Sequence, residues 1–218
     1  MLANTEQSGK LVDLFLLKGV RQTFKKGEYV IRPGDTQPGI FYIEAGLVKA
    51  YDITRYQEEN LLIIKHEAEI FPLIWALTGR EHEVIYQTLE PTVTWRISRS
   101  KLLKNIEQEP DLMAPILDMT VEMYRVHSQR ILNLEYRTVR ERIISFLLMM
   151  SDRYKTRVTD EGLLIEVPLR HQDIASSINA SRETTSREIS SLVRKGLLAK
   201  DHSFIVIKNP DALRHYIK

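Results

Sequence analysis

The chain has 218 residues, 31 of them Lys or Arg and 29 Asp or Glu, for a formal charge of +2. With 43% hydrophobic and 28% charged residues, it has material for a real core and too much for a disordered polymer. Cysteine is absent, which excludes disulfides, thiolate metal sites and cysteine nucleophiles and suits a reducing cytoplasm.

The opening residues, MLANTEQSGK, are polar, and the first apolar cluster, Leu11 to Leu17, is interrupted by Asp13. No run approaches the roughly 20 apolar residues that span a bilayer. A cytoplasmic protein without a membrane partner is expected. The charge is uneven. Residues 1–137 carry 17 basic and 19 acidic side chains, whereas 138–218 carry 14 and 10. A mildly basic C-terminal third fits a polyanionic partner.

From Phe24 to Ser98, short apolar and β-branched runs alternate with Lys26-Gly27, Pro33-Gly34-Asp35, Pro38-Gly39 and Ala45-Gly46. That punctuation predicts a small antiparallel barrel or roll. Phe71 to Thr78, strongly apolar, breaks the pattern and reads as a short helix across the mouth of the roll. The period then changes. Between Asp111 and Leu134, residues Leu117, Thr120, Tyr124, His127, Ile131 and Leu134 follow steps of three and four, a heptad-like seam. A second stripe, Leu112, Ile116, Met119, Met123 and Val126, lies on a neighbouring face. One stripe can cover the roll while the other meets a second copy, so a dimer is preferred over one wide buried face.

Val139 to Met150 predicts an amphipathic helix with Ile143, Ile144, Leu147 and Leu148 inward, and Leu163 to Val167 a strand ended by Pro168. His171 to Ile178 and Arg182 to Lys195 predict two helices around the turn Asn179-Ala180-Ser181, with Gly196 capping the second. Leu197 to Ala199 and Phe204 to Ile207 predict a hairpin. Together these make a winged helix-turn-helix. The fold class is α+β, with an N-terminal antiparallel β-roll over 1–109, a dimerisation helix over 110–137 and the winged domain over 138–218.

The turn carries the chemistry. Asn179 tolerates the left-handed conformation, Ala175 is small enough for close packing, and Ser181 is a good N-cap. The second helix then presents Arg182, Glu183 and Arg187 outward. Arginine can grip guanine O6 and N7, and glutamate can accept from cytosine N4. Ser181, Thr184 and Ser186 suit phosphate contacts that fix register. A solvated helix face also carries mixed charge, but the turn geometry decides for double-stranded DNA.

Residues 171–198, HQDIASSINASRETTSREISSLVRKGLL, resemble the DNA-binding helices of the cyclic-AMP receptor protein and FNR superfamily. KGEYVIRPGD at 26–35 and IFYIEAGLVKAYD at 40–52 are similar to that family's β-roll, so the resemblance covers nearly the whole chain. It implies a homodimeric transcription regulator reading a TGTGA-like palindrome, with RNA polymerase as a further partner. Arg182, Glu183 and Arg187 match the family's base-reading positions. Arg170 stands where the family has a capping threonine and is expected to trade the cap for a phosphate contact. Thr185 replaces an apolar β-branched residue and keeps its shape.

The sensory site departs further. Cyclic-AMP-binding members use a Gly-Glu pair and an Arg-Ser pair where this chain reads Pro72-Leu73 and His82-Glu83. Proline offers no N–H, leucine cannot accept from a ribose hydroxyl, and Glu83 repels a phosphate. The effector is therefore not expected to be cyclic AMP. Pro72, Leu73, His82, Glu83, His127 and Ser128 remain the candidate effector pocket. The histidines show no metal-ligand pattern and no catalytic constellation stands out, so no metal, no cofactor and no enzyme activity are expected. The alternative is a β-roll metal-dependent enzyme with an accessory DNA-binding module.

Overall fold

The computed structural model describes residues 3–32, 34–80 and 83–217. The chain forms two compact units, Met1–Asp52 with Leu62–Val126, and Ile53–Leu61 with His127–Lys218.

The first unit opens with helix α1 (Thr5–Lys18), capped by Asn4 and Gln7. Among the described residues eight strands follow: β1 (Val20–Phe24), β2 (Tyr29–Ile31), β3 (Ile40–Ala45), β4 (Val48–Ile53), β5 (Glu59–Lys65), β6 (Ile70–Phe71), β7 (Ile85–Thr88) and β8 (Thr92–Ile97). Helix α2 (Leu73–Thr78) stands between β6 and β7, and α3 (Arg99–Gln108) follows β8. The strands make two antiparallel four-stranded sheets, ordered β1-β8-β3-β6 and β2-β7-β4-β5. They form an open sandwich or roll, not a closed barrel.

Strand β3 shows why both sheet faces are apolar. Phe41 and Ile43 join Val30, Ile31, Val48, Ala50, Ile63, Phe71 and Tyr86 in a core between the sheets. Ile40 and Tyr42 point the other way, into a core shared with Leu11, Leu14, Phe15, Leu73, Ala76, Leu102 and Leu112. A strand buried on both faces reads as a continuous apolar run, which IFYI is. At the β3–β4 turn Gly46 has φ +102°, and an added Cβ would meet Pro91 and Thr92 within 3 Å. Only glycine fits there without strain. Arg99 closes the end of α2, donating to the carbonyls of Trp75, Ala76 and Leu77.

Helix α4 (Met113–Tyr136) is the longest element. Its stripe of Leu112, Ile116, Met119, Met123 and Val126 packs on the two cores of the first unit.

The second unit contains α5 (Val139–Arg153), strands β9 (Thr156–Thr159) and β10 (Gly162–Ile165), α6 (His171–Ser177), α7 (Arg182–Arg194), strands β11 (Leu198–Asp201) and β12 (Phe204–Ile207), and α8 (Pro210–His215). The strands form one antiparallel sheet ordered β11-β12-β10-β9. The expected Leu163 to Val167 strand is shorter and acquires β9 as a partner. Ile143, Ile144, Leu147 and Leu148 are buried on α5. This arrangement is a winged helix-turn-helix.

Candidate nucleic-acid interface

The interface is built around the turn between α6 and α7. Asn179 takes φ +51°, and the N–H of Ala180 donates to the Ala175 carbonyl at 3.0 Å. Ala175 is fully buried, so a larger side chain there would push the helices apart. Ser181 Oγ accepts from the Thr184 N–H at 3.1 Å and so opens α7. At the other end Gly196 has φ +69°, and its N–H donates to the Val193 carbonyl. This is a left-handed terminus of the kind glycine supplies.

Between these caps α7 is divided cleanly. Thr185, Ile189 and Leu192 are buried, while Arg182, Glu183 and Arg187 are exposed. Among the described residues, no hydrogen bond or ion pair engages the side chain of Arg182, Glu183 or Arg187. All three functional groups are therefore exposed and unengaged. Ser186 is half-exposed on the same helix, and Ser181 and Thr184 share a hydroxyl–hydroxyl hydrogen bond of 3.0 Å.

Arg170 occupies the N-cap position of α6. The buried Asp173 carboxylate reaches back, accepting from the Arg170 backbone N–H at 2.9 Å and from its guanidinium at 2.8 Å. Glu59 lies a further 3.4 Å from the same guanidinium. Arg170 thus supports a cap through Asp173, and a DNA phosphate must compete with two carboxylates for it.

The sequence-derived dimer seam is divided. Leu117, Tyr124 and Ile131 are exposed, whereas Thr120, His127 and Leu134 are half-buried. The Thr120 hydroxyl donates back to the Ile116 carbonyl at 2.8 Å. Val121 and Leu132, both more than half exposed, belong to the apolar surface and were not in the expected seam. The signal for Val121 was its spacing, four after Leu117 and three before Tyr124.

In the first unit, Pro72 precedes α2 and makes no side-chain cap, and Leu73 is buried in the helix-covered core. Glu83 is exposed just before β7, and His82 lies outside the described residues. His127 and Ser128 on α4 are half-buried. Among the described residues, no group of three or more His, Asp or Glu is placed to hold a metal ion. No described helix is long and apolar enough to cross a membrane.

A family model of the Crp-like helix-turn-helix domain matches residues 141–216, and one of the cyclic nucleotide-binding domain matches 21–109. The chain belongs to the Crp/Fnr family of DNA-binding transcription regulators. Among Crp/Fnr relatives, it is 26% identical over 205 residues to the global nitrogen regulator of Synechocystis sp., covering 91% of this chain and 88% of that one. It is 27% identical over 177 residues to the transcriptional activator protein anr of Pseudomonas aeruginosa, covering 81% and 72%. The c-di-GMP-responsive global regulator CLP of Xanthomonas campestris superposes with a TM-score of 0.80 at 20% identity, covering 92% of this chain and 99% of that one. A CooA variant from Carboxydothermus hydrogenoformans superposes with a TM-score of 0.77 at 18% identity, covering 96% and 90%. The Crp/Fnr relatives are regulators, and the metal-dependent enzyme alternative finds no support among them.

Proposed function

We propose that this Crp/Fnr regulator acts in the cytoplasm as a homodimer that reads an inverted repeat of TGTGA-like half-sites. The observation that carries this reading is the exposed, unengaged set Arg182, Glu183 and Arg187 on α7. Each arginine supplies a bidentate fork for guanine, and Glu183 accepts from cytosine N4. Ser181, Thr184, Ser186 and Arg170 contact the phosphate backbone and fix the register. The exposed face of α4 joins the two copies, which sets the half-sites roughly 34–36 Å apart, one helical turn.

In functional terms, residues 1–109 sense, 110–137 dimerise and 138–218 bind DNA, with RNA polymerase as the downstream partner. The protein regulates and does not catalyse. Its effector is not cyclic AMP. The test is selection from random DNA, which should return an inverted repeat. Arg187→Ala should then weaken binding to that repeat by about 1–3 kcal/mol and relax preference at one base pair. Equal weakening on all sequences would reduce Arg187 to a phosphate contact.

A further inference from the structure

His171 begins α6, Lys200 lies on β11 of the wing, and Arg182 begins α7. The His171 ring nitrogen Nε2 and the Lys200 ammonium are 2.9 Å apart. Two cationic groups cannot share that contact, so the free protein holds a neutral ring whose Nε2 accepts from Lys200. We propose that His171 and Lys200, beside the base-reading Arg182, form a proton-linked clamp for one DNA backbone phosphate, completed when His171 takes up a proton. The clamp rests on the DNA-binding reading above and adds a regulated contact to it.

The surroundings leave the histidine without a counter-charge of its own. On α6 the acidic neighbour is Asp173, buried and already committed to Arg170. The wing contributes Lys200 and α7 contributes Arg182. Partial burial, then Lys200, then Arg182 all hold the His171 ring below the ordinary histidine value of 6.5. An anion placed against His171 Nε2 and Lys200 Nζ reverses the balance. A phosphate oxygen can accept from a protonated His171 and from Lys200 together, and it screens the two cations from one another.

The sign follows from the proton count. His171 titrates below the ordinary value in the free protein and higher in the complex, so binding takes up a proton. Affinity must rise as pH falls between the two values and level off outside them. Lowering the pH from about 7.5 to about 6 should therefore tighten binding by about twofold to threefold.

The probe is a fluorescent duplex, one carrying the selected repeat and one of unrelated sequence, titrated across that range at fixed ionic strength. Wild type should bind both more tightly at the lower pH. His171→Gln should flatten the dependence, and His171→Arg should make it flat while keeping tight binding. His202→Gln, in the exposed wing loop beside Asp201, should titrate as wild type does. Circular dichroism confirms that each variant is folded at each pH. Retention of the wild-type pH dependence in His171→Gln overturns the clamp and leaves base reading intact. Loss of the dependence in His171→Gln, with no preference for the repeat in wild type, supports the clamp and overturns base reading.

Discussion

Arg140 Nε of α5 lies 2.7 Å from Glu188 Oε2 of α7, tying the first helix of the winged domain to the middle of the recognition helix. The Glu188 side chain is only 20% exposed. Removing the arginine leaves a mostly desolvated carboxylate without its charge partner, which costs more than the bond itself contributes. Because Arg140 is itself partly in water, the pair is discounted towards surface values. Arg140→Ala is expected to destabilise the domain by about 1–2 kcal/mol, with a pairwise coupling to Glu188→Ala of about 0.5–1 kcal/mol. Urea denaturation of the two single variants, the double variant and wild type measures this, and zero coupling would refute it.

Thr185 sits on the buried face of α7, and among the described residues its hydroxyl is buried without a hydrogen-bond partner. An unsatisfied buried hydroxyl carries its full desolvation cost. Thr185→Val keeps the β-branched shape and removes that cost, so stability should increase by about 1–2 kcal/mol. DNA affinity should not change, since the side chain faces inward. A destabilised valine variant would show that the hydroxyl has a partner after all.

The helix-turn-helix is legible in sequence because its geometry is local. Asn179, Ser181 and Gly196 each satisfy a backbone demand made by immediate neighbours. The roll is legible for the same reason, through turn residues and the doubly buried run of β3. Helix α1 is not among the elements predicted from the sequence although it carries signals, with Asn4 and Gln7 forming a capping box and Leu11, Leu14 and Phe15 at helical spacing. Its polar first turns masked the stripe. Strand β9 is short and its Val158 is 84% exposed, so hydrophobic alternation could not reveal it. The Arg140–Glu188 and His171–Lys200 contacts join residues 48 and 29 positions apart. No local pattern encodes such pairs, because packing of α7 and return of the wing bring them together.

The apolar surface of α4 leads to a prediction about assembly. Val121 is 53% and Tyr124 74% exposed, so a charge at either should leave the fold of one chain intact. Buried in a dimer seam, the same charge is desolvated without a partner. Val121→Glu with Tyr124→Glu should therefore yield folded monomers that bind the palindrome far more weakly than wild type. Sedimentation at micromolar concentration reads the state directly. A monomeric wild type would end the dimer proposal.

Helix α5 begins with a capping box in which the Glu141 carboxylate accepts from the Thr138 hydroxyl at 2.7 Å and from its backbone N–H at 2.8 Å. Those two bonds hold the Glu141 carboxyl below its ordinary value of 4.5. A depressed carboxyl contributes stability above the unfolded value and loses it as pH falls through the folded one. Glutamine can keep the geometry but not the charge. Glu141→Gln should thus be less stable than wild type by about 0.3–1 kcal/mol at neutral pH. The gap in melting temperature should close as pH is lowered below 4.5. A gap that persists unchanged into acid would mean that the carboxylate charge is not the stabilising element.

At the start of α2, Pro72 has no N–H to give to a cyclic nucleotide phosphate. Leu73 is buried among Ile40, Tyr42 and Ile70, so its side chain is spent on the core and cannot meet a ribose. Glu83, exposed before β7, adds negative charge on the segment where a phosphate partner would have to be basic. Pro72 and Glu83 thus work against the phosphate anion, and Leu73 against the ribose. Cyclic AMP and cyclic GMP should therefore bind no more tightly than about 1 mM, less than about 4 kcal/mol of binding free energy. Titration calorimetry on the full chain, with and without the selected DNA, gives the answer. Heats that saturate in the micromolar range, together with tighter DNA binding when the nucleotide is present, would overturn this reading of the pocket.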